Sequence, residues 1–179
     1  ILAFLSFFIP LILYLMTMAP TTSFWDCGEF IATSYILGVP HPPGSPLFLL
    51  LGNFFSSLPT FSDIGARVNL ISPIASALSV MFLYLIIVKL IQEYSGKANN
   101  TSKIIINNLS AFIASLTFAV TDSHWFNAVE TEVYSLSTFF TAIVIWMILK
   151  WSSLSNEKWN IRYLLLIAYM MGLAIGIHI

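Results

Sequence analysis

Apolar residues along this chain neither alternate nor form one narrow helical stripe; they fill whole stretches, separated by short polar breaks. About 20 apolar residues in a row suffice for a helix to cross the hydrocarbon core of a bilayer. On that measure residues 1–19 form a first span, and 67–94, 104–120, 129–151 and 161–179 form further spans of unequal length. Residues 1–19 lack a charged leading segment and a small-residue cleavage pattern, so they read as a span and not as a cleaved signal. The expected architecture is an all-α polytopic membrane protein with about five spans, residues 1–179 forming one transmembrane domain. Because the first and last residues fall inside apolar runs, the chain reads as a fragment of a longer membrane protein.

Residues 20–66 are too interrupted for a simple span. Within them "FWDCGEFIATSYILG" predicts a helix lying in the interface, stopped by Gly38 and Pro40. "HPPG", His41 to Gly44, predicts a rigid turn, because proline fixes φ and disfavours helix in the residue before it. "SPLFLLLGNFFSSLP" predicts a second short helix with Pro46 in its first turn, re-entrant or interfacial.

Composition agrees with the pattern. Hydrophobic residues make up 58% of the chain and charged residues 8%, against roughly 25% charged in soluble domains. A net charge of −1 leaves no basic field for nucleic acid. The single cysteine, Cys27, has no partner for an internal disulfide or a zinc site and reads as a small residue in a packed turn.

Charge also orients the chain. Lys89, Lys97 and Lys103 flank one polar loop, and Lys150, Lys158 and Arg162 flank another. These are six of the seven basic residues, and the positive-inside rule makes their shared side cytoplasmic. Asn99 and Asn100 match a glycosylation sequon but fall on that side. Asp26, Glu29, Asp63, Asp122, Glu130 and Glu132 all fall on the other side. Asp63 suits a turn and Asp122 a helix N-cap. The remaining four sit among aromatic and apolar neighbours, which asks for another explanation.

Asp26 and Glu29, three apart, share one side of a helix. A carboxylate at a membrane surface is partly desolvated and so more basic. Two together can divide labour, one taking a proton and the other orienting a substrate or holding a cation; the plainer alternative is a helix cap and a solvated side chain. In "HWFNAVETEVYS" a continuous helix would put Asn127, Glu130 and Tyr134 on one face and turn Glu132 toward headgroups or water. Trp125 and Phe126 suit the interfacial aromatic belt. His41 and His178 are candidates for proton transfer or phosphate binding, although a lone histidine is more often structural. Arg67, the one basic residue on the outward side, is either a structural anchor or a partner for an anionic phosphate. No P-loop, dinucleotide fingerprint, zinc-protease motif or nucleophile elbow occurs. Without a site for a nucleotide-activated donor, a donor reaching the outward face is expected to arrive within the lipid.

The stretch "PTTSFWDCGEFIATSYILGVPHPPGSPLFLLLGNFF" closely resembles the N-terminal signature of the domain-of-unknown-function 2723 family, and "NAVETEVYSLSTFF" and "GLAIGIHI" resemble its later motifs in order. That family includes bacterial membrane proteins and a eukaryotic protein O-mannosyltransferase, transmembrane protein 260. The resemblance implies a GT-C type glycosyltransferase that takes mannose or a similar sugar from a polyprenyl phosphate and passes it to a serine or threonine hydroxyl of an acceptor protein or peptide. It implies Asp26 and Glu29 as the catalytic pair, with Asp26 the general base. His41, Arg67, Asn127, Glu130, Tyr134 and His178 are the candidates for binding substrate. No cofactor beyond the lipid-linked donor and no metal are expected. The setting it implies is a bacterial inner membrane with the site facing the periplasm. The rival expectation is a transporter or flippase whose outward acids couple to protons or cations.

Overall fold

The computed structural model describes residues 1–96, 100–154 and 157–177. Among them the chain is helical, with no strand: α1 (Leu2–Thr17), α2 (Cys27–Ile36), α3 (Pro46–Ser57), α4 (Ile64–Asn69), α5 (Ile71–Ser95), α6 (Thr101–Ala119), α7 (Asp122–Ala128), α8 (Val133–Ser153) and α9 (Asn160–Ile175). Among the described residues three helical stretches are long and apolar enough to cross a membrane: Ile64–Ser95, where α4 runs almost directly into α5, then α6 and α8. Helices α1 and α9 are apolar but have 16 residues each, about 24 Å at 1.5 Å per residue, short of a core of roughly 30 Å. Large apolar side chains such as Phe4, Ile12, Ile113, Leu165 and Tyr169 point outward from α1, α6 and α9, as lipid-facing surfaces do.

Helix α5 is the centre of the bundle, with α1, α6 and α8 packed around it and α9 laid against α8. Half of its buried positions are serine or alanine, namely Ser72, Ala75, Ser76, Ala77 and Ser79, which lets neighbouring backbones come close. Ser76 Oγ donates to Ser135 Oγ on α8 (3.0 Å), and Ser135 Oγ in turn donates to the Asn127 carbonyl on α7 (2.5 Å). On the α1 side, the buried Tyr14 hydroxyl donates to the Ala119 carbonyl at the end of α6 (2.7 Å).

The two short helices of the 20–66 segment form as the sequence predicts, with Pro46 opening α3. The stop of α2 differs slightly: Leu37, not Gly38, takes the left-handed conformation (φ 51°), and the Gly38 amide donates back to the Thr33 carbonyl (2.8 Å). Asn53 on α3 seals the same end, its amide donating to the Ser34 and Tyr35 carbonyls at 3.0 and 3.1 Å. In the HPPG turn the Gly44 amide donates to the His41 carbonyl (3.0 Å). Asp63 caps α4 by accepting from the Ala66 amide (3.0 Å) and also accepts from the Thr21 hydroxyl (3.2 Å). Asp122 is not the N-cap it was expected to be; Thr121 holds that position and Asp122 is the first helical residue.

The larger correction concerns residues 122–153. A single helix through "HWFNAVETEVYS" does not form; the chain leaves α7 after Ala128 and resumes helix at Val133. The Ala19 amide bonds the Val129 carbonyl (2.8 Å), and Glu132 is extended (φ −139°, ψ 144°). Tertiary hydrogen bonding of the intervening backbone outweighs the local helical pattern.

Helices α2 and α3 touch most closely at Gly52, where an added Cβ would come 2.2 Å from Ser34 Oγ and 2.6 Å from Ser34 Cβ. Gly52→Ala is therefore expected to cost about 1–3 kcal/mol through overpacking, read as a lowered unfolding midpoint in detergent. Gly172→Ala, with open space at its Cβ, serves as the tolerated control.

Candidate active site

The loop after α1 and the turn between α7 and α8 are held together by one side chain. Asn69, fully buried at the end of α4, donates from its amide to the Ala19 carbonyl (2.8 Å) and the Thr21 carbonyl (3.0 Å). Its oxygen accepts from Thr131 Oγ1 and lies 3.9 Å from the Cys27 thiol. Cys27 is the residue after Asp26, and Thr131 stands between Glu130 and Glu132, so this amide sets the distance between the two acidic segments. Cys27 is buried and unpaired, the small packing residue expected.

Asp26 occupies the N-cap of α2, where the helix dipole favours negative charge, and Glu29 lies in the first turn. Trp25, just before Asp26, has φ 57°, a conformation costly for a bulky residue and often kept at functional positions. Glu29 is tied to the HPPG turn: it accepts from the His41 amide (2.6 Å), and its other oxygen pairs with His41 Nδ1 (2.8 Å). Those bonds hold the Glu29 carboxyl below its ordinary range and raise the histidine, with Asp26 and Glu132 adding to the upward shift of His41. The rise expected from desolvation is thus not what Glu29 shows; hydrogen bonds to His41 outweigh it. One ligand-type atom each from Asp26, Glu29 and His41 lies within 4.8 Å of the others, and among the described residues this is the group close enough to hold a metal ion.

Across from α2, the α7–α8 turn closes a cavity of about 220 Å³ lined by Trp25, Asp26, Phe126, Asn127, Glu132 and Tyr134. Asn127 and Tyr134 line it although they belong to different helices, and the Asn127 amide itself donates to the Ser123 carbonyl (2.7 Å). Glu130 does not line this cavity. It is 2% exposed, and its Oε1 has no hydrogen-bond partner among the described residues. Glu132, expected to meet headgroups or water, is instead buried in the cavity wall. Burial, followed by repulsion from Glu130 and Asp26, pushes its carboxyl up to about 7. Counting three- and four-residue steps assumes a continuous helix; with the break at 129–132, Glu132 and not Glu130 joins Asn127 and Tyr134 in the lining. The extended N-cap geometry of Glu132 was the missing signal.

Arg67 is bonded to backbone carbonyls. Its Nε donates to the Phe61 carbonyl (2.6 Å) and Nη1 to the Ser56 carbonyl (3.1 Å), so the guanidinium clamps the loop between α3 and α4. Of the two alternatives for Arg67, its contacts are those of the anchor. His178 and Lys97 lie outside the described residues. Asn100 caps α6 by accepting from the Lys103 amide (2.7 Å).

Replacing Asn69 with Ala would strand buried groups on both acidic segments, each such loss costing about 1–3 kcal/mol. A fall of roughly 2 kcal/mol or more in unfolding free energy is expected for Asn69→Ala. Chemical denaturation in detergent would read it, and a wild-type midpoint would remove Asn69 from the role given it.

Comparison with known proteins bears on the same segments. One protein family, described as the protein O-mannosyl-transferase TMEM260 N-terminal domain, matches residues 26–179, beginning at Asp26. A protein O-mannosyl-transferase tmem260 of Dictyostelium discoideum is 24% identical over 157 residues, covering 85% of this chain and 18% of the relative. A protein O-mannosyl-transferase TMEM260 of Mus musculus is 25% identical over 150 residues, covering 84% and 19%. The chain spans less than a fifth of the length of these curated relatives. Both come from eukaryotes, so they lend no support to a bacterial inner membrane or a periplasmic site. No solved structure matches the chain. The family match covers well over half of the residues, and the chain belongs to the TMEM260 N-terminal domain family.

Proposed function

We propose that this chain is the site-bearing part of a membrane protein O-mannosyltransferase of GT-C type, in which α1 and α9 also cross the bilayer and the acidic end faces outward. The donor is a mannose carried on a polyprenyl phosphate, and the acceptor is a serine or threonine hydroxyl of a protein. One observation carries the reading: Asp26, Glu29, His41 and Glu132, spread over more than a hundred residues, converge at helix ends beside a cavity, in a chain whose curated relatives bear that enzyme's name. Acids gathered at helix ends, not midway along a span, suit chemistry at the membrane surface better than transport through the core.

Transfer needs three things at once. The acceptor oxygen attacks the anomeric carbon while its proton passes to the Asp26 carboxylate. The bond from the anomeric carbon to the phosphate oxygen breaks on the opposite side, its electron pair leaving with the phosphate, so the configuration inverts. The departing phosphate then needs positive charge close by. Arg67 commits two of its N–H donors to backbone carbonyls, whereas His41 stands beside Asp26 and Glu29, so the paired His41 imidazolium takes this role. Glu29 supports it by keeping His41 charged and the HPPG turn in place.

The complete protein, incubated with labelled polyprenyl-phosphate mannose and serine- and threonine-containing peptides, is expected to label the hydroxyl residues. Asp26→Asn is expected to retain donor binding and to lose at least about a hundredfold in transfer, the usual scale for removing a general base. Unimpaired transfer by that variant would take Asp26 out of the mechanism. Uptake of substrate into vesicles with no transfer would favour the transporter.

The His41 pair sets a pH dependence with a definite sign. Its folded pKa lies above the ordinary histidine value, so the charged form is present at low pH and is lost as pH rises through that raised value. Glu29→Gln removes the main cause of the rise, the carboxylate bonded to the imidazole. It is therefore expected to move the alkaline fall of kcat to lower pH, and an unmoved limb would leave His41 a purely structural part of the turn.

A further inference from the structure

The cavity beside Asp26 has walls that suit one class of ligand. Trp25, Phe126 and Tyr134 supply aromatic surface, and Asp26, Asn127 and Glu132 supply polar groups. Aromatic faces pack against the C–H faces of a sugar ring while polar side chains take its hydroxyls. The volume of about 220 Å³ accommodates a single ring and not an oligosaccharide.

Glu132 is unusual for the place it holds. A carboxylate at a helix N-cap normally turns back to accept from the free amides of the first turn. Glu132 stands at the N-cap of α8 without the usual capping bond, and its carboxyl meets the adjacent Val133 amide instead. It is 6% exposed, and the space it borders is the one shared with Asp26. A carboxyl with one amide against it keeps further hydrogen-bonding capacity for whatever enters that space.

We propose that this cavity receives the hexose ring of the lipid-linked donor and that Glu132 is a specificity-determining residue, holding a ring hydroxyl opposite Asp26. The proposal rests on the transferase reading above and adds the residue that recognises the sugar as distinct from the lipid phosphate. The two carboxyls then differ in role. Asp26 is the base, whereas burial and the neighbouring acids push the Glu132 carboxyl up to about 7, so that at pH 6 it can donate as well as accept. The titratable groups around Glu132 are Glu130 on its own turn, Asp26 at the start of α2, His41 in the HPPG turn and Tyr134 on α8. His41 titrates nearby, and its effect falls on the phosphate, so the sugar must be isolated by comparing ligands.

The test measures dissociation constants for polyprenyl-phosphate mannose and for the methyl diester of the same polyprenyl phosphate, using the complete protein in nanodiscs at pH 6 and pH 8; both are diesters, so neither gains the second charge that a phosphate monoester takes at about pH 6. The ratio of the two affinities reports the ring alone. In the wild type the ratio is expected to favour the sugar-bearing lipid at pH 6 and to shrink at pH 8 by up to about tenfold, following ionisation of one group near 7. Glu132→Gln, a neutral mimic, is expected to keep a ratio near the wild-type pH 6 value at both pH values. Glu132→Ala is expected to lower the ratio about tenfold at pH 6 while affinity for the methyl diester stays unchanged. A wild-type ratio in Glu132→Ala, equal losses for both lipids, or a Glu132→Gln ratio that still falls with pH would overturn the assignment. If the alanine variant does not fold, the glutamine variant decides by its pH response. A folded wild type that binds neither lipid would refute the transferase reading itself, a result distinct from any change in the ratio.

Discussion

The buried amide of Asn69 is the interaction on which the rest of this arrangement depends. Neither the loop after α1 nor the turn before α8 has a local reason to adopt its observed course. Asn69 gives both of them hydrogen-bond partners in a place closed to water, where an unmet polar group is costly. Because Cys27 and Thr131 both approach its oxygen, residues about a hundred positions apart are held in register. The distance between Asp26 and Glu132 is a consequence of that register.

Electrostatics then assigns different states to similar groups. Glu29 lies at the surface with an imidazole against it, and its carboxyl is held low. Glu132 lies in the wall with acids for neighbours, and its carboxyl is pushed up to about 7. Separation of carboxyl groups into ionised and neutral forms is the usual way one site obtains both a base and a hydrogen-bond donor. Here the separation comes from burial and from one histidine, with Arg67 engaged elsewhere in holding a loop.

The bundle beneath is a platform for these helix ends. Small residues on α5 let α1 and α8 approach it closely. The relay from Ser76 through Ser135 to the Asn127 carbonyl links that core to one wall of the cavity. Apolar side chains face outward on α1, α6 and α9, while Asp26, Glu29, His41 and Glu132 gather at the end formed by α2, the HPPG turn and the α7–α8 turn.

By itself the sequence determined the helical class, the short pair α2 and α3, the proline-opened start of α3, the HPPG turn and the grouping of the acids on one side. Each follows from a local cause: apolar length, proline geometry or the distribution of lysine and arginine. It also singled out Asp26, Glu29 and His41, because acids and a histidine beside apolar runs need a reason to be there. Only the tertiary structure decided that α7 and α8 are separate helices, that Glu132 and not Glu130 borders Asp26, and that Arg67 serves the backbone. Those outcomes turn on where carbonyls and amides from distant segments find partners, and helical spacing carries no information about partners that lie a hundred residues away.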